Sequence, residues 1–460
     1  MIKFRLSIFL GGIVTLVSFF LIGLNFNNQS SSYIKNLISF NRRKVLRKYL
    51  LPYQTISAQE NTISYLEEDN FQLLKLEKEK KESGTDIKIK ESIQKLPDNK
   101  IIKKYKLISG FYAGINNFFP GTGFIDFHKN NIVVLSSRGL IAFRNEINND
   151  KENFKQIQNN INEFINNEQF KKYRWFSIKD LLIYKDKIFV SYTEEIKDNC
   201  WNTSIIVGDL NYKKIQFKKL YSPKDCIHSQ NNVDGEFNAH QSGGRIIAID
   251  ENNILLTKGE FRTRTLAQNT KSFNGKIINI NLLNKNYKIL SMGHRNPQGL
   301  YFDKKNNFIL ETEHGPAGGD EINLIELDNE NKNKIQNYGW PIASYGEHYG
   351  GKVKKNKKKY KKYPLHKSHS DYGFIEPLKS FVPSIGISEI VKTKNNTYVV
   401  SSLKDKSIYF FKLNKKREIT NLKRVEIGER IRDLIYKDHN LYLFLEDTAS
   451  LGVINLNKKS

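Results

Sequence analysis

Three segments of this sequence combine polar side chains that can do chemistry with the glycines and prolines of tight loops. "FNAHQSGGRIIAID" (237–250) places His240 before a Gly-Gly pair, "GHRNPQGLYFD" (293–303) sets His, Arg, Asn and Gln around a Pro, and "ETEHGPAGGDEINLI" (311–325) is rich in acids. A neutral imidazole can accept a proton near neutral pH, a guanidinium binds planar anions, and carboxylates bind cations. Each segment alone is more often a turn with structural ion pairs, whereas the three together indicate a functional site.

The rest of the body predicts the elements that position these segments. From about residue 102, short apolar runs recur between Gly, Asn, Asp and Lys, for example "NIVVLSSRGLIAF", "RIIAIDENNILLTKG" and "NLYLFLED". Val, Ile, Phe and Tyr dominate the runs, and several alternate apolar with polar residues, as short strands in hairpins do. Many short strands without helices indicate an all-β domain, either a propeller or a large sandwich. Such scaffolds often carry functional loops on one face.

Composition narrows the class of partner. The chain has 460 residues, a formal net charge of +26 and 39% hydrophobic residues. An excess of Lys and Arg is compatible with nucleic-acid or anionic-lipid binding, but no nucleic-acid motif accompanies it. We favour a solvated surface rich in Lys and Asn and expect no nucleic-acid partner.

The first 100 residues differ from the body. Residues 8–24, "IFLGGIVTLVSFFLIGL", are almost wholly apolar and follow Lys3 and Arg5, as expected of a membrane anchor with positive charges on the cytoplasmic side. A cleaved signal peptide is the alternative. We therefore expect a membrane anchor or signal segment (1–40), a charged helical spacer or stalk (41–100) and a β domain (101–460). The β domain would lie in the periplasm, held to the inner membrane by the N-terminal helix unless that segment is cleaved.

The compartment bears on the two cysteines, Cys200 and Cys226, which lie in the polar stretches "KDNCWN" and "PKDCIHS". In a reducing compartment they would be free thiols, and in an oxidising one they could pair. Because the N-terminus indicates export, we predict a disulfide between them.

Several motifs together resemble the glucose/sorbosone dehydrogenase family. "GHRNPQG" (293–299) is the most specific, and "HQSGGR" (240–245), "EHGP…DEINLI" and "NYGWP" (337–341) occur in the family's order. "SSLKDKSIYFFKL" (401–413) and "GERIRDLIY" (428–436) resemble its lysine-bearing strand and its paired-arginine segment. The resemblance covers residues 102–457. It implies a six-bladed β-propeller with the cofactor pyrroloquinoline quinone (PQQ) across its top face.

The resemblance also assigns residue roles. By matched position, His240 is the general base, Glu260 orients its imidazole, Arg295 and Asn296 contact the quinone, and Lys404, Arg430 and Arg432 meet the PQQ carboxylates. The backbone carbonyls of Gly315 and Pro316 bind the Ca²⁺ that holds the cofactor, while Asp320, Glu321 and Tyr338 match a second, structural calcium site. These residue types suit the ligands, because PQQ carries three carboxylates and Ca²⁺ prefers oxygen atoms.

Some positions depart from the family pattern. Ala239 stands where the family often has an acid directly before the catalytic His, and Glu260 stands where it has Asp. "FSIKDLL" (176–182) replaces a Gly-rich segment, and Val382 and Ser384 replace a Trp and a Thr near the cofactor. These differences leave the substrate preference open.

The expected function follows from these roles. An active enzyme would oxidise the anomeric hydroxyl of an aldose to the lactone and pass electrons to a respiratory acceptor, a quinone or a cytochrome. A propeller that only binds a sugar or surface polymer is the main alternative, because fold does not determine function. A lactonase-like hydrolase is a weaker one, since its side-chain metal cage is not evident. The number of retained cations and His240 favour the dehydrogenase.

Overall fold

The computed structural model describes residues 86–107, 122–145, 153–165, 169, 178–327, 335–350 and 356–457. These residues are almost entirely strands and loops. The strands of the first half are β1 (Asp86–Ile87), β2 (Ile89–Lys95), β3 (Ile101–Leu107), β4 (Gly123–His128), β5 (Asn131–Ser136), β6 (Ile141–Asn145), β7 (Phe154–Asn159), β8 (Ile178–Tyr184), β9 (Lys187–Lys197), β10 (Cys200–Asp209), β11 (Lys214–Ile215), β12 (Lys218–Tyr221), β13 (Ile227–His228), β14 (Gly243–Ala248) and β15 (Asn253–Lys258). The strands of the second half are β16 (Lys276–Asn281), β17 (Tyr287–Met292), β18 (Pro297–Asp303), β19 (Phe308–Glu313), β20 (Asp320–Glu326), β21 (Gln336–Asn337), β22 (Lys379–Phe381), β23 (Ile387–Lys392), β24 (Thr397–Ser402), β25 (Ser407–Leu413), β26 (Ile419–Glu426), β27 (Ile431–Lys437), β28 (Asn440–Leu445) and β29 (Ser450–Asn455). One short α-helix, α1 (Lys357–Lys362), and 3₁₀ turns at Ile161–Glu163, Ala239–Gln241, Arg264–Gln268, Ser370–Tyr372 and Lys394–Asn396 complete the described elements.

The described strands form six sheets, each built around four antiparallel strands in chain order or nearly so. Along the chain, the sheets run β4-β5-β6-β7, β8-β9-β10-β12, β14-β15-β16-β17, β18-β19-β20-β22, β23-β24-β25-β26 and β27-β28-β29-β3, with β1, β11, β13, β21 and β2 as additions at their edges. We call them sheets 1 to 6. In sheet 6, β29 from the C-terminal end pairs with β3 from the N-terminal side. The two ends of the domain are thus joined in one sheet.

The first strand of each sheet lies innermost and contacts the first strand of the next. The contacts run β4–β8, β8–β14, β14–β18, β18–β23 and β23–β27, and β27 returns to β4. The ring therefore closes as a six-bladed β-propeller, which confirms the predicted fold class.

The hydrophobic core consists of layers between neighbouring sheets. Ile254 and Leu256 of β15 pack with sheet 2, whereas Leu255 between them packs with sheet 4. Successive side chains of a strand point to opposite faces, and both faces are covered here. Strands buried on both faces read as continuous apolar runs, which explains segments such as "NILLTK". Analogous clusters fill the other interfaces around the ring.

One buried arginine ties four sheets together at the axis. Arg245 of β14 contacts Asp180 of sheet 2 at 2.6 Å and Asp433 of sheet 6 at 3.0 Å, both through Nη1. Its Nε also forms an ion pair with Glu389 of sheet 5. All four side chains are less than a tenth exposed, so the acids depend on this cation for charge compensation.

The N-terminal predictions have different outcomes. The anchor or signal segment (1–40) lies outside the described residues, as does the spacer up to residue 85. The remainder of the predicted spacer, 86–100, is not helical, because it contains β1 and β2, which belong to the propeller. No helix among the described residues is long and apolar enough to cross a membrane.

The predicted disulfide is confirmed. Cys200 at the start of β10 is bonded to Cys226, and their Cα atoms are 5.2 Å apart. Cys200 is fully buried. The bond closes a loop with a sequence separation of 26 residues. It thereby reduces the number of conformations that the unfolded chain can adopt.

We expect the double variant Cys200→Ser/Cys226→Ser to lose about 2–4 kcal/mol of unfolding free energy relative to the oxidised protein. Denaturant unfolding followed by fluorescence would measure the loss. The oxidised and the reduced wild-type protein provide the comparison, since the reduced protein should resemble the variant. Equal midpoints for variant and oxidised wild type would contradict a stabilising role.

Candidate active site

The predicted site residues come together at one end of the propeller. The first residues of each innermost strand lie at this end. The loop between the second and third strand of each sheet lies at the same end, because neighbouring strands are antiparallel. His240, Arg295, Asn296, Arg430 and Arg432 lie just before or within the first residues of innermost strands, and Glu260, Gly315, Pro316 and Lys404 lie in the loops between second and third strands. The fold therefore collects residues from six segments of the chain at one face.

His240 lies on the 3₁₀ turn Ala239–Gln241. The turn is fixed by Asn238, whose side-chain oxygen accepts a hydrogen bond from His240 N at 2.8 Å. His240 is exposed to solvent as a residue, although many protein atoms lie around its ring. This crowding, followed by the charges of Lys179 and Arg432, holds the pKa of His240 below its usual value. The imidazole is therefore neutral near pH 7, the form in which it can act as a base.

Glu260 is connected to the turn of His240 through Gln241, the residue after His240. The Gln241 amide, oriented to satisfy both of its ends, donates from nitrogen to Glu260 Oε1 at 2.7 Å, and its oxygen accepts from Arg295 Nη2 at 2.9 Å. Burial raises the pKa of Glu260 to about 7, although Arg295 opposes the effect. The predicted orienting role of Glu260 thus has a structural route through Gln241, a residue that the sequence analysis did not single out.

Three protein groups hold the guanidinium of Arg295 in place. Its Nη1 donates to the His314 carbonyl at 2.8 Å and its Nη2 to the Tyr349 hydroxyl at 3.3 Å. The guanidinium also lies over the Trp340 ring, 5.4 Å from the centroid. The Arg295 side chain is therefore next to the 315–316 loop that was predicted to bind calcium.

Asn296 is fixed by its neighbours in the same way. Its side-chain oxygen accepts from Gly243 N and from Gln298 Nε2, both at 3.1 Å. Because Gly243 follows the His240 turn, Asn296 links the segment of the predicted base to that of the predicted quinone contacts. The other polar residue of "GHRNPQG", His294, is fully buried and bonded to Ser291 and Glu313.

Arg430 and Arg432 share one buried carboxylate. Arg430 Nε donates to Glu446 Oε2 at 2.7 Å, and Arg432 Nη2 donates to Glu446 Oε1 at 2.8 Å. Thr122 also donates to Glu446 Oε1. Burial alone would raise the pKa of Glu446, but Arg432, Arg430 and Thr122 bring it down to about 2. The Asp447 carboxylate also accepts from Arg430 N at 3.1 Å, and Lys404 is exposed in the β24–β25 loop.

Replacing Glu446 by Gln should destabilise the protein at neutral pH and much less in acid. The folded pKa of Glu446 is depressed, so the carboxylate contributes stability above its unfolded pKa and loses it as pH falls through the folded pKa. The shift corresponds to about 3 kcal/mol as an upper limit at neutral pH. Unfolding midpoints of both proteins, measured from about pH 7 down to about pH 2, should converge as pH approaches the folded pKa of Glu446. Glu251→Gln, at an exposed turn, is the control; a gap that widened in acid would contradict the assignment.

The predicted calcium residues separate into two groups. The Asp320 carboxylate binds three backbone N–H groups. Its oxygens accept from Gly315 N at 3.1 Å, Gly386 N at 2.6 Å and Ile387 N at 3.0 Å. It thereby fixes the loop that carries the carbonyls of Gly315 and Pro316. The Tyr338 hydroxyl donates to the Leu324 carbonyl at 2.6 Å.

Glu321, in contrast, belongs to a buried group of acids beside the loop. His294, Glu311 and Glu313 have potential ligand atoms within 4.8 Å of one another. The Asn323 amide joins Glu311, Glu313 and Glu321. Burial, followed by the charge of Glu313, raises the pKa of both Glu311 and Glu321 well above the usual range. Glu311 Oε1 and Asn323 Oδ1 are buried without a hydrogen-bond partner in the described structure, so oxygen donors suited to Ca²⁺ are present.

The sequence analysis did not single out four residues that contact predicted site residues or the turn of His240: Lys179, Gln241, Tyr349 and Glu446. Lys179 Nζ donates to the Ala239 carbonyl at 3.1 Å. One signal could have found it: "IKD" at 178–180 resembles "IRD" at 431–433, and the second triplet carries a predicted cofactor residue.

Comparisons with known proteins match this architecture. Residues 183–454 match the family described as glucose/sorbosone dehydrogenase. The chain is 25% identical over 289 residues to aldose sugar dehydrogenase YliI of Escherichia coli, which covers 57% of this chain and 71% of that protein. It is 29% identical over 147 residues to quinoprotein glucose dehydrogenase B of Acinetobacter calcoaceticus, covering 31% and 24%. An uncharacterised protein of Synechocystis, slr1608, is 30% identical over 197 residues, covering 38% and 43%. Two of these three alignments thus span less than half of the relative.

Solved structures show the same fold. The apo-form of the soluble aldose sugar dehydrogenase from Escherichia coli superposes with a TM-score of 0.54 at 19% identity, covering 72% of this chain and 94% of that one. The PQQ-bound form of aldose sugar dehydrogenase from Streptomyces coelicolor superposes with a TM-score of 0.52 at 15% identity, covering 72% and 92%. Since the family match spans more than half of the sequence, this chain belongs to the glucose/sorbosone dehydrogenase family.

Proposed function

We propose that this chain is a PQQ- and calcium-dependent dehydrogenase that oxidises the anomeric hydroxyl of an aldose to the lactone. The observation that carries the proposal is the position of His240. Hydrogen bonds join the turn that carries it to the segment of Arg295. The positive charge of Arg432 helps to lower the pKa of its imidazole. A base can take the hydroxyl proton of the substrate, and fixed cations can stabilise the negative charge that develops as the hydride leaves.

The residues fit an anionic cofactor. Arg430 and Arg432 lie side by side on Glu446 at this end of the propeller, and Lys404 lies exposed at the same end. These three would meet the PQQ carboxylates, and Arg295 and Asn296 would contact the quinone. The carbonyls of Gly315 and Pro316 would hold Ca²⁺. The cofactor, when bound, accepts the hydride, and the protein supplies orientation and electrostatics.

The chain's own residues then have distinct tasks. One ring nitrogen of His240 would take the proton of the anomeric hydroxyl as the C–H bond breaks, and it would release that proton to solvent at its accessible edge. Gln241 and Asn238 hold the turn so that the ring keeps its place. Arg295, fixed by His314 and Tyr349, would stabilise negative charge that develops on its ligand.

Electron transfer and location complete the proposal. We infer that the propeller faces the periplasm, that residues 1–40 anchor it to the inner membrane, and that the electrons pass to a respiratory quinone or cytochrome. The apolar run of residues 8–24 and the Cys200–Cys226 disulfide support export. Membrane fractionation before and after alkaline extraction would test the anchor. Mature protein in the soluble periplasmic fraction would indicate cleavage instead.

Dye reduction tests the central proposal. The full chain, loaded with PQQ and Ca²⁺, should reduce an artificial electron acceptor when given aldoses, and chelation followed by dialysis should abolish the activity until Ca²⁺ returns. Activity unchanged after calcium removal would refute the metal's role. Sugar binding without dye reduction, in protein shown by absorbance to hold PQQ, would favour the binding-module alternative.

A further inference from the structure

We infer that Lys179 is a further residue of the site and that it binds a carboxylate, carried either by the cofactor or by an acidic sugar substrate. This inference rests on the proposed function, which it deepens. Lys179 falls in "FSIKDLL", the segment where this chain departs from the Gly-rich pattern of the family.

The first argument is an internal repeat. Ile178-Lys179-Asp180 opens β8, and Ile431-Arg432-Asp433 opens β27. In both strands the pairing register shifts across the basic residue, so that residue is the extra member of a β-bulge. Bulges of this kind redirect a side chain and are frequent beside active sites.

The aspartates of the two triplets confirm that the positions correspond. Asp180 Oδ2 accepts from Ile246 N of the next sheet at 2.7 Å, and Asp433 Oδ2 accepts from Ile125 N of the next sheet at 2.8 Å. Each also contacts Arg245 through its other oxygen. Lys179 is therefore the counterpart, in sheet 2, of the predicted cofactor residue Arg432 in sheet 6.

The second argument is the surroundings of the ammonium group. Lys179 Nζ donates to the carbonyl of Ala239, directly before His240, at 3.1 Å. Gly244 makes room for the side chain, because a Cβ at that position would lie 2.3 Å from Lys179 Cβ. The carbonyl is the one hydrogen-bond acceptor of Nζ among the residues described. Two of the three N–H donors thus remain for a ligand.

The third argument is charge. Arg430 and Arg432 share Glu446, but in the described part of the chain no ion pair involves Lys179, and the charge that acts on it is that of Arg432. Burial, followed by Arg432, lowers the pKa of Lys179 to about 7. Lys179 is partly buried, and an anion beside its ammonium group would favour the charged form. A ligand carboxylate would supply that anion.

Lys179→Met removes the charge and keeps the length of the side chain, whereas Lys179→Arg keeps the charge. We would measure PQQ affinity by absorbance titration of the calcium-loaded chain, and kcat/KM for glucose and for glucuronate. In Lys179→Met, either the affinity for PQQ or the preference for glucuronate over glucose should fall about tenfold or more. Lys179→Arg should retain most of whichever quantity falls. The first result assigns the carboxylate to the cofactor and the second to the substrate. Lys185→Met, at the exposed turn after β8, should change neither quantity.

Other outcomes overturn the inference. If Lys179→Met matches wild type in both quantities, Lys179 binds no carboxylate. If it lowers kcat equally for both sugars at unchanged PQQ affinity, Lys179 only positions His240 through the Ala239 carbonyl. If the wild-type chain takes up no PQQ, the proposed function fails, and calorimetry of the cofactor-free chain with glucuronate and glucose decides the point: no preference for glucuronate, or an equal one in Lys179→Met, rules out Lys179 as a carboxylate ligand.

Discussion

His240→Ala should lower kcat by roughly 10²–10⁴-fold, the usual cost of a lost general base, and leave PQQ affinity nearly unchanged. The side chain reaches the open end of the propeller and is partly accessible to solvent, so its removal leaves no cavity in the core. The turn that carries it is held by Asn238 and Gln241 through contacts that alanine at 240 keeps. Steady-state kinetics with saturating PQQ, beside a PQQ titration, would separate turnover from cofactor binding.

Arg295→Lys provides the matched contrast. It keeps the charge but loses the planar fork, which contacts His314, Tyr349 and Gln241 at the same time. We expect weaker PQQ binding together with slower turnover. If His240→Ala instead lost cofactor affinity and kept its turnover at saturating PQQ, the assignment of the base would be wrong. If neither variant changed either quantity, the dehydrogenase proposal would fail.

The sequence predicted the parts of this molecule that depend on local patterns. Short apolar runs predicted the strands, and the polar loops of 237–250, 293–303 and 311–325 do converge at one end. The number of sheets came from the family resemblance, because the blades differ in strand length and loop size. The start of the domain was missed for a physical reason: β2 is the outermost strand of its sheet, and most of its side chains are exposed. A charged edge strand resembles a polar helix or linker in sequence.

Site features that depend on tertiary contacts were not predictable. Glu446 follows the apolar strand β28 and reads as a turn acid, yet it lies between two arginines that precede it by 16 and 14 residues. The sequence also does not show that Asp320 accepts from the backbone of Gly386 or that the Tyr338 hydroxyl donates to the Leu324 carbonyl. Only the packing of neighbouring sheets determines whether an acid faces a cation, an amide or a metal ion.

Arg245→Leu should produce the largest loss of stability, about 3–5 kcal/mol, because it removes the cation from a buried ion-pair group. Asp180, Glu389 and Asp433 would remain at the axis, nearly inaccessible to water. Burial already raises the pKa of Asp180 to about 8 and that of Glu389 well above its usual range, although Arg245 opposes both shifts. Without the arginine these pKa values rise further, and the variant must bind protons in order to fold.

This proton uptake gives the prediction a direction in pH. Groups with raised folded pKa values stabilise the folded state most at low pH and lose that contribution as pH rises through the folded pKa. With Arg245 present the pKa of Asp180 is already about 8, so folded wild type and variant bind the same proton there at lower pH. The deficit of Arg245→Leu should therefore stay nearly constant up to about pH 7 and grow above about pH 8, as seen in denaturant midpoints. Arg424→Leu, which breaks an exposed pair with Asp405, is the control and should cost less than about 1 kcal/mol. If Arg245→Leu yields too little folded protein, Arg245→Lys, which keeps the charge without the fork, should give a smaller loss in the same direction. A pH-independent deficit no larger than that of the control would show that the axial acids are stabilised without Arg245.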